Sequence, residues 1–110
     1  MRTFIALTAM ILAVAVPTTA SAGVTKVTVT ATEFHFNLSR ASVLHGKVTF
    51  ILVNKGHIGH DFKIAGKKTA VIAAGKTATL TVTLAKGKVA YSCTVPGHAS
   101  AGMKGNLSVT

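Results

Sequence analysis

The sequence predicts an all-β fold, a β-sandwich of about seven short strands in one small domain. Apolar and polar residues alternate with a period of two in several segments, the pattern of strands with one buried face. Short groups containing glycine, lysine or asparagine separate these segments at regular intervals, as turns separate the strands of a sandwich. No segment of useful length has the periodicity of an amphipathic helix.

The N-terminal half of the domain contains two alternating segments of opposite phase. Apolar residues occupy the odd positions in 27–31 and the even positions in 34–38. A shift of one residue reverses the face that a strand turns to the core, so we expect a bulge or bend near residues 32–33. The next predicted strand, around residues 48–53, is apolar on both faces.

The C-terminal half supplies the remaining predicted strands. The clearest alternates threonine at odd positions with apolar residues at even positions, as a half-buried strand does. A strand that ends at Cys93 should turn that side chain inward, because Val89 and Tyr91 share its face. The predicted strands are residues 60–64, 69–73, 77–84, 88–93 and 104–110.

The first 22 residues are predicted to be a signal peptide, which precedes a single domain formed by residues 23–110. Arg2 supplies the positive charge, residues 4–16 form the apolar region, and residues 20–22 read Ala-Ser-Ala, a typical cleavage site. The apolar region is shorter than the roughly 20 residues that cross a bilayer. We therefore expect an exported protein, periplasmic or extracellular, that is soluble after cleavage.

The charge of the predicted domain is strongly positive. With Arg2 set aside, eleven lysine and arginine side chains face only Glu33 and Asp61, a net charge of +9 with neutral histidines. Such a surface favours an acidic protein partner or an anionic membrane surface. Nucleic acid is not expected as a partner, because the sequence contains no motif that binds it.

Three residues near the C-terminus have the spacing of metal ligands, in the order Cys93-x4-His98-x4-Met103. Thiolate, imidazole and thioether form a soft ligand set that suits copper better than magnesium, calcium or manganese. A fourth ligand should come from elsewhere, and His60, at the start of an apolar strand, is the best candidate. Two histidines, one cysteine and a weak axial methionine make up the blue-copper electron-transfer site.

The remaining candidates have simpler interpretations. His35 and His45 are expected at the surface. His57 could pair locally with a neighbouring histidine, but it lies in a loop and is the weaker candidate for a ligand. Met103 has core filling as its alternative role. Tyr91 is interpreted as a core aromatic residue rather than a redox relay.

With these residues in view, the chain resembles the cupredoxins, the small blue-copper proteins. The resemblance covers residues 23–110 in strand pattern and is most specific in residues 54–64 and 91–109. The loop with the three ligands most resembles that of the rusticyanin and auracyanin members. The resemblance implies a Greek-key β-sandwich of about seven to eight strands. The copper ligands that it implies are His60, Cys93, His98 and Met103.

The resemblance also implies how the ligand loops are joined. In the family, the residue after the upstream histidine often bonds to the residue after the cysteine, and here these are Asp61 and Thr94. The family more often has asparagine or serine at the first of these positions. An aspartate therefore places a carboxylate near the copper.

The function expected from the sequence is one-electron transfer between redox partners by a monomer with a single copper ion. The alternative is copper trafficking or buffering, and a structural zinc or adhesion module is a third hypothesis. An enzyme is not expected, since no nucleophile and base are arranged together. The partner is expected to be an acidic redox protein such as a cytochrome or an oxidase. Electrons are expected to pass through an apolar rim around His98, formed by Val95, Pro96, Ala99 and Ala101.

Overall fold

The computed structural model describes residues 23–110, which form an all-β sandwich of two sheets. The predicted fold class is therefore confirmed, whereas the predicted signal peptide lies outside the described residues. No described residue belongs to a helix long and apolar enough to cross a membrane. The strands are β1 (Thr25–Thr32), β2 (His35–Leu38), β3 (Ser42–Val43), β4 (Gly46–Asn54), β5 (Lys63–Ile64), β6 (Lys67–Lys68), β7 (Thr77–Leu84), β8 (Gly87–Ser92) and β9 (Lys104–Val109).

The two sheets have the strand orders β2-β1-β4-β7 and β3-β9-β8-β5-β6. Most neighbouring strands are antiparallel, but β1 pairs with β4 and β3 pairs with β9 in parallel. In the second sheet, β8 and β9 lie side by side. The loop between them, which contains the Cys-His-Met motif, therefore leaves and re-enters the sheet at the same end.

The core between the sheets contains the inward half of each alternating strand. Val27, Val29 and Ala31 of β1 are fully buried, and the threonines of β7 face outward, as the alternation predicts. Four aromatic rings meet at its centre through edge-on and tilted contacts of 5.1–6.0 Å between centroids, and they belong to Phe36, Phe50, Phe62 and Tyr91. Tyr91 is thus a core aromatic residue, as predicted.

The shift of phase near residues 32–33 is a hairpin turn rather than a bulge within one strand. Thr32 of β1 pairs with His35 of β2, so Glu33 and Phe34 alone form the turn. Phe34 has a φ of 62° and remains 40% exposed, although the alternation placed it in the core. A two-residue turn changes the phase as a bulge does, and the sequence alone does not distinguish them.

The region 60–73 also differs from the prediction. The expected strand 60–64 is reduced to β5, and the expected strand 69–73 is absent from the described structure. Instead, β6 lies between the two expected strands and pairs with β5 through a tight turn at Ala65 and Gly66, with φ values of 49° and 76°. Two positive φ angles are typical of this hairpin turn. The short strand β3 was not predicted either.

Candidate metal centre

Three potential metal-binding atoms meet inside one end of the sandwich. The Nδ1 atoms of His60 and His98 lie 3.2 Å apart, and Cys93 Sγ lies 3.6 Å from Nδ1 of His98. The ligand atoms of these three residues all lie within 4.8 Å of one another. Two atoms that each lie about 2.0–2.3 Å from a shared ion are at most about 4.6 Å apart. The distances of 3.2 and 3.6 Å lie within this limit, so the arrangement fits one metal ion.

The loop from β8 to β9 is shaped by its own backbone hydrogen bonds. The Cys93 N–H donates to the Met103 carbonyl at 3.0 Å, and the Met103 N–H donates to the His98 carbonyl at 3.1 Å. Gly97 and Gly102 have positive φ angles of 83° and 123°, which side chains larger than hydrogen rarely permit. The loop thus folds back on itself and brings the backbone of Met103 against that of Cys93 and His98.

His60 is fixed by a second loop, which follows β4. Its backbone forms an isolated bridge with Ile72, with N–H to carbonyl distances of 3.2 and 2.9 Å in the two directions. The buried Asn54 side chain donates to the carbonyls of Ile58 and Ile72 and accepts from the Gly56 N–H at 2.9 Å. Asn54 thereby orders both segments that hold His60, a role that the sequence analysis missed.

Asp61 joins the two ligand loops, as the resemblance implied. Its carboxylate accepts a hydrogen bond from the Thr94 N–H at 2.6 Å and a second one from the Thr94 hydroxyl. The Asp61 side chain is buried. Because Asp61 follows one ligand in the chain and Thr94 follows another, this contact fixes the position of His60 relative to Cys93.

Glu33, in the turn between β1 and β2, is the second missed residue. Its Oε1 accepts from the N–H groups of His57 and Ile58 at 2.6 and 3.1 Å and lies 3.4 Å from Nε2 of His60. That Nε2 is buried and makes no hydrogen bond within the described residues. The Glu33 carboxylate therefore stands behind the imidazole of His60, on the side away from the other candidate ligands. Carboxylates in this place orient metal-bound histidines.

The candidate ligands are shielded from water. His60 and Met103 are fully buried, Cys93 is 1% exposed and His98 is 7% exposed. Burial raises the pKa of the Cys93 thiol, so the metal-free protein holds it protonated at neutral pH. A metal ion must displace that proton to bind the thiolate. Buried sulfur and imidazole donors fit copper, and the nearby carboxylates of Glu33 and Asp61 hold the ligand loops in place.

The other histidines lie away from this centre. The His57 side chain is 93% exposed and contacts Glu33. His57 and His60 therefore do not form a local pair of ligands. His35 and His45 are exposed, as predicted, and the Nδ1 of His45 lies 3.0 Å from the carbonyl of Thr110. Neither belongs to the group of converging metal-binding atoms.

The predicted apolar rim of His98 has one additional member, Phe34. Val95 and Ala99 are half-buried, and Pro96 and Ala101 are exposed, as a contact surface requires. The ring of Phe34 packs edge-on against the His98 ring, with 5.2 Å between centroids. Phe34 was not predicted at this surface because its alternation with neighbouring apolar residues indicated the core.

The position of Glu33 leads to a prediction for the metal-free protein. The N–H of His57 holds the pKa of Glu33 at about 2, below its usual 4.5, against the opposing effect of partial burial. Because the folded-state pKa is the lower one, ionised Glu33 stabilises the fold above about pH 4.5, and this contribution is lost as the pH falls toward 2. Glu33→Gln should therefore lower the melting temperature at pH 7 but have little effect near pH 2.

Thermal unfolding of both proteins across this pH range tests the prediction. His57→Ala serves as the control, because it removes the exposed ring but keeps the N–H that donates to Glu33. This variant also loses the weaker contact of the His57 ring with Glu33, so we expect it to keep most of the native pH dependence. A constant difference between native and Glu33→Gln protein at all pH values would contradict the assigned role.

Comparisons with known proteins agree with this geometry. The family model of the cupredoxin-like domain matches residues 4–109. Among solved structures, dithionite-reduced auracyanin from the photosynthetic bacterium Roseiflexus castenholzii has a TM-score of 0.66 at 18% identity, over 78% of this chain and 97% of that one. Auracyanin B has a TM-score of 0.66 at 26% identity, over 78% and 88%.

A third similar structure is an azurin, Az-iso2, from the methylotroph Methylomonas sp. strain J. It has a TM-score of 0.62 at 20% identity, over 78% of this chain and 98% of that one. A search of curated protein sequences found no significant match. The structural similarities extend over nearly the whole length of the auracyanin and azurin chains.

Proposed function

This chain belongs to the family of cupredoxin-like domains, and from that membership we propose that it is an exported blue-copper protein that carries single electrons between redox partners. One observation carries the proposal. Two imidazole Nδ1 atoms and one thiol, all buried, converge within 4.8 Å on a scaffold of strand ends and hydrogen-bonded loops.

Copper, when bound, supplies the one-electron couple between Cu(I) and Cu(II). His60, Cys93 and His98 would hold the ion, and Met103 would act as the weak axial ligand. The surrounding protein keeps these side chains in place: Asn54 orders the loop of the first histidine, and the backbone bonds of the second loop order the others. A ligand set that is fixed before the metal arrives changes little between oxidation states, as fast electron transfer requires.

The test is spectroscopy and voltammetry on the copper-loaded protein. We expect an intense visible band that bleaches on reduction and returns on oxidation, together with a reversible one-electron wave. Purification of the exported protein would also show whether cleavage follows residue 22. A colourless Cu(II) form would contradict the electron-carrier function, and cleavage elsewhere would contradict the proposed signal peptide.

The burial of the site favours electron transfer over copper trafficking or buffering. A protein that passes copper onward must expose its ligands to the recipient, whereas here even the most exposed candidate ligand, His98, is 7% exposed. An electron needs no such exposure and can leave through the ring of His98, which the apolar rim surrounds. We propose no catalytic reaction for the site.

The side chain of Met103 gives the proposal a further test. Leucine has nearly the same volume, so Met103→Leu should retain copper while it removes the axial thioether. The reduction potential should rise, because a thioether stabilises Cu(II) more than a hydrocarbon does. Met103→Gln should lower it, because an amide oxygen favours Cu(II). We expect shifts of roughly 60 mV or more, a tenfold change in relative affinity.

Cyclic voltammetry of the two variants measures these shifts, and the visible spectrum of each confirms that copper is bound. Opposite shifts in the leucine and glutamine variants would support an axial role. Unchanged potentials in both would mean that Met103 only fills the core, the alternative that the sequence left open.

A further inference from the structure

The outer face of the five-stranded sheet carries three lysines in one line. Lys68 of β6 pairs with Lys63 of β5, Lys63 also pairs with Ser92 of β8, and Ser92 pairs with Lys104 of β9. Side chains of directly paired residues point to the same face of a sheet. The three exposed lysines therefore form a row about 14 Å long across four strands, which we call the lysine row.

A groove of about 620 Å³ lies within this face, and Lys63 and Lys104 are among its lining residues. Ser92 and Asn106 contribute a hydroxyl and an amide to its lining, so the groove offers hydrogen-bond donors beside two ammonium groups. The large exposed apolar side chains of the described structure lie outside it, at Val24, Phe34, Leu44, Ile58 and Val71. The rest of the lining is largely apolar, from residues that include Ala65, Ala90 and Tyr91, so the groove suits a carboxylate whose carbon chain lies against them.

The lysine row has no compensating charge from the chain itself. Glu33 and Asp61 are the only acidic side chains in the sequence, and both are engaged at the ligand loops. Lys63 and Lys68, by contrast, stand directly opposite each other on neighbouring strands, an arrangement in which like charges destabilise a sheet. Carboxylates that bind from outside would relieve this repulsion.

The lysine row also lies directly behind the metal centre. Ser92 precedes Cys93 in the chain, and Lys104 follows Met103. Successive residues of a strand point to opposite faces, so Ser92 and Lys104 face outward beside the inward side chains of Cys93 and Met103. A molecule bound there would be separated from the copper ligands by the thickness of one sheet.

We propose that the lysine row and its groove are the docking site for a carboxylate-rich segment of the redox partner protein. This inference rests on the proposed function, because that function supplies the partner. An anionic membrane is the less suitable occupant, since proteins that lie on membranes combine basic residues with apolar side chains that insert, and the groove offers no such large exposed side chain. Ammonium, hydroxyl and amide donors fit discrete carboxylates.

The test compares two double variants that remove the same charge. Lys63→Gln with Lys104→Gln changes the lysine row, whereas Lys26→Gln with Lys47→Gln changes two exposed lysines on the four-stranded sheet. The probe is a glutamate-rich peptide long enough to cross four strands, titrated into the copper-loaded protein and followed by NMR. A glutamine peptide of equal length and vesicles containing phosphatidylglycerol are the comparison ligands.

We expect the first double variant to bind the glutamate peptide about tenfold more weakly, which corresponds to about 1.4 kcal/mol, and the control variant to bind nearly as the native protein does. Added salt should weaken native binding. The visible copper spectrum should be unchanged in both variants. Equal losses in the two variants would overturn the proposal, as would a loss of vesicle binding in the first variant without a loss of peptide binding.

The outcomes also separate this inference from the proposed function. A protein that is blue and reversibly reduced, but binds the peptide equally well without the two lysines, overturns the docking site alone. A protein that binds the peptide through the lysine row, but forms no blue copper centre, overturns the electron-carrier function alone.

Discussion

Replacing Cys93 by serine is expected to abolish the blue Cu(II) form and the electron transfer that depends on it. The thiolate is the strongest of the proposed ligands and the source of the intense visible band, whereas a serine hydroxyl is a harder donor that stays protonated at neutral pH. The fold should persist, because serine is smaller than cysteine and the position lies at the end of a strand. Copper should bind more weakly and without colour.

Visible absorption and voltammetry after copper loading measure the effect of Cys93→Ser. His57→Ala is the matched control, since it removes an imidazole near the centre that the structure places in solvent. This variant should remain blue. A blue Cys93→Ser protein, or a colourless His57→Ala protein, would contradict the ligand assignment.

Replacing Asp61 by alanine should weaken both the fold and copper retention. The carboxylate accepts two hydrogen bonds from Thr94, and hydrogen bonds to charged groups contribute about 1.5–3 kcal/mol each. Water can replace part of the hydrogen bonding that Thr94 loses, so we expect the free energy of unfolding to fall by about 2–3 kcal/mol. The two ligand loops would then be free to separate, and copper should dissociate faster.

Denaturant unfolding of the metal-free protein and copper transfer to a chelator measure these two effects. Thr94→Val provides the partner variant, because it removes the hydroxyl and keeps the N–H. If the Asp61–Thr94 contact joins the loops, the double variant should lose less stability than the sum of the single variants. Strictly additive losses would show that the two residues act independently.

The strands that sequence reasoning found share a physical property. Five strands span the sandwich and turn alternate residues inward, so the local alternation of apolar and polar residues predicts them. These are β1, β4, β7, β8 and β9. The two-residue strands β3 and β6 are too short to show a period. The parallel pairing of β1 with β4 joins residues far apart in the chain, and alternation within each strand does not reveal it.

At the metal centre, too, local features could be predicted from the sequence and long-range contacts could not. Cys93, His98 and Met103 lie in one loop, and their spacing is visible in the sequence. Glu33 contacts residues 24 and 25 positions away, and its role depends on a hairpin turn where the sequence predicts a bulge or bend. Short-range ligand spacing can therefore be predicted, whereas the groups that support the ligands follow from the fold.

The scarcity of carboxylates has a consequence for behaviour in acid. Acidification usually changes a protein's surface by neutralising many aspartates and glutamates, but here only two exist and both are committed to the ligand loops. The positive charge of the sequence comes from ten lysines and two arginines, residue types whose ordinary pKa values lie well above neutral. The attraction of this protein for anions should consequently persist in acidic surroundings, provided that the partner's own carboxylates remain ionised.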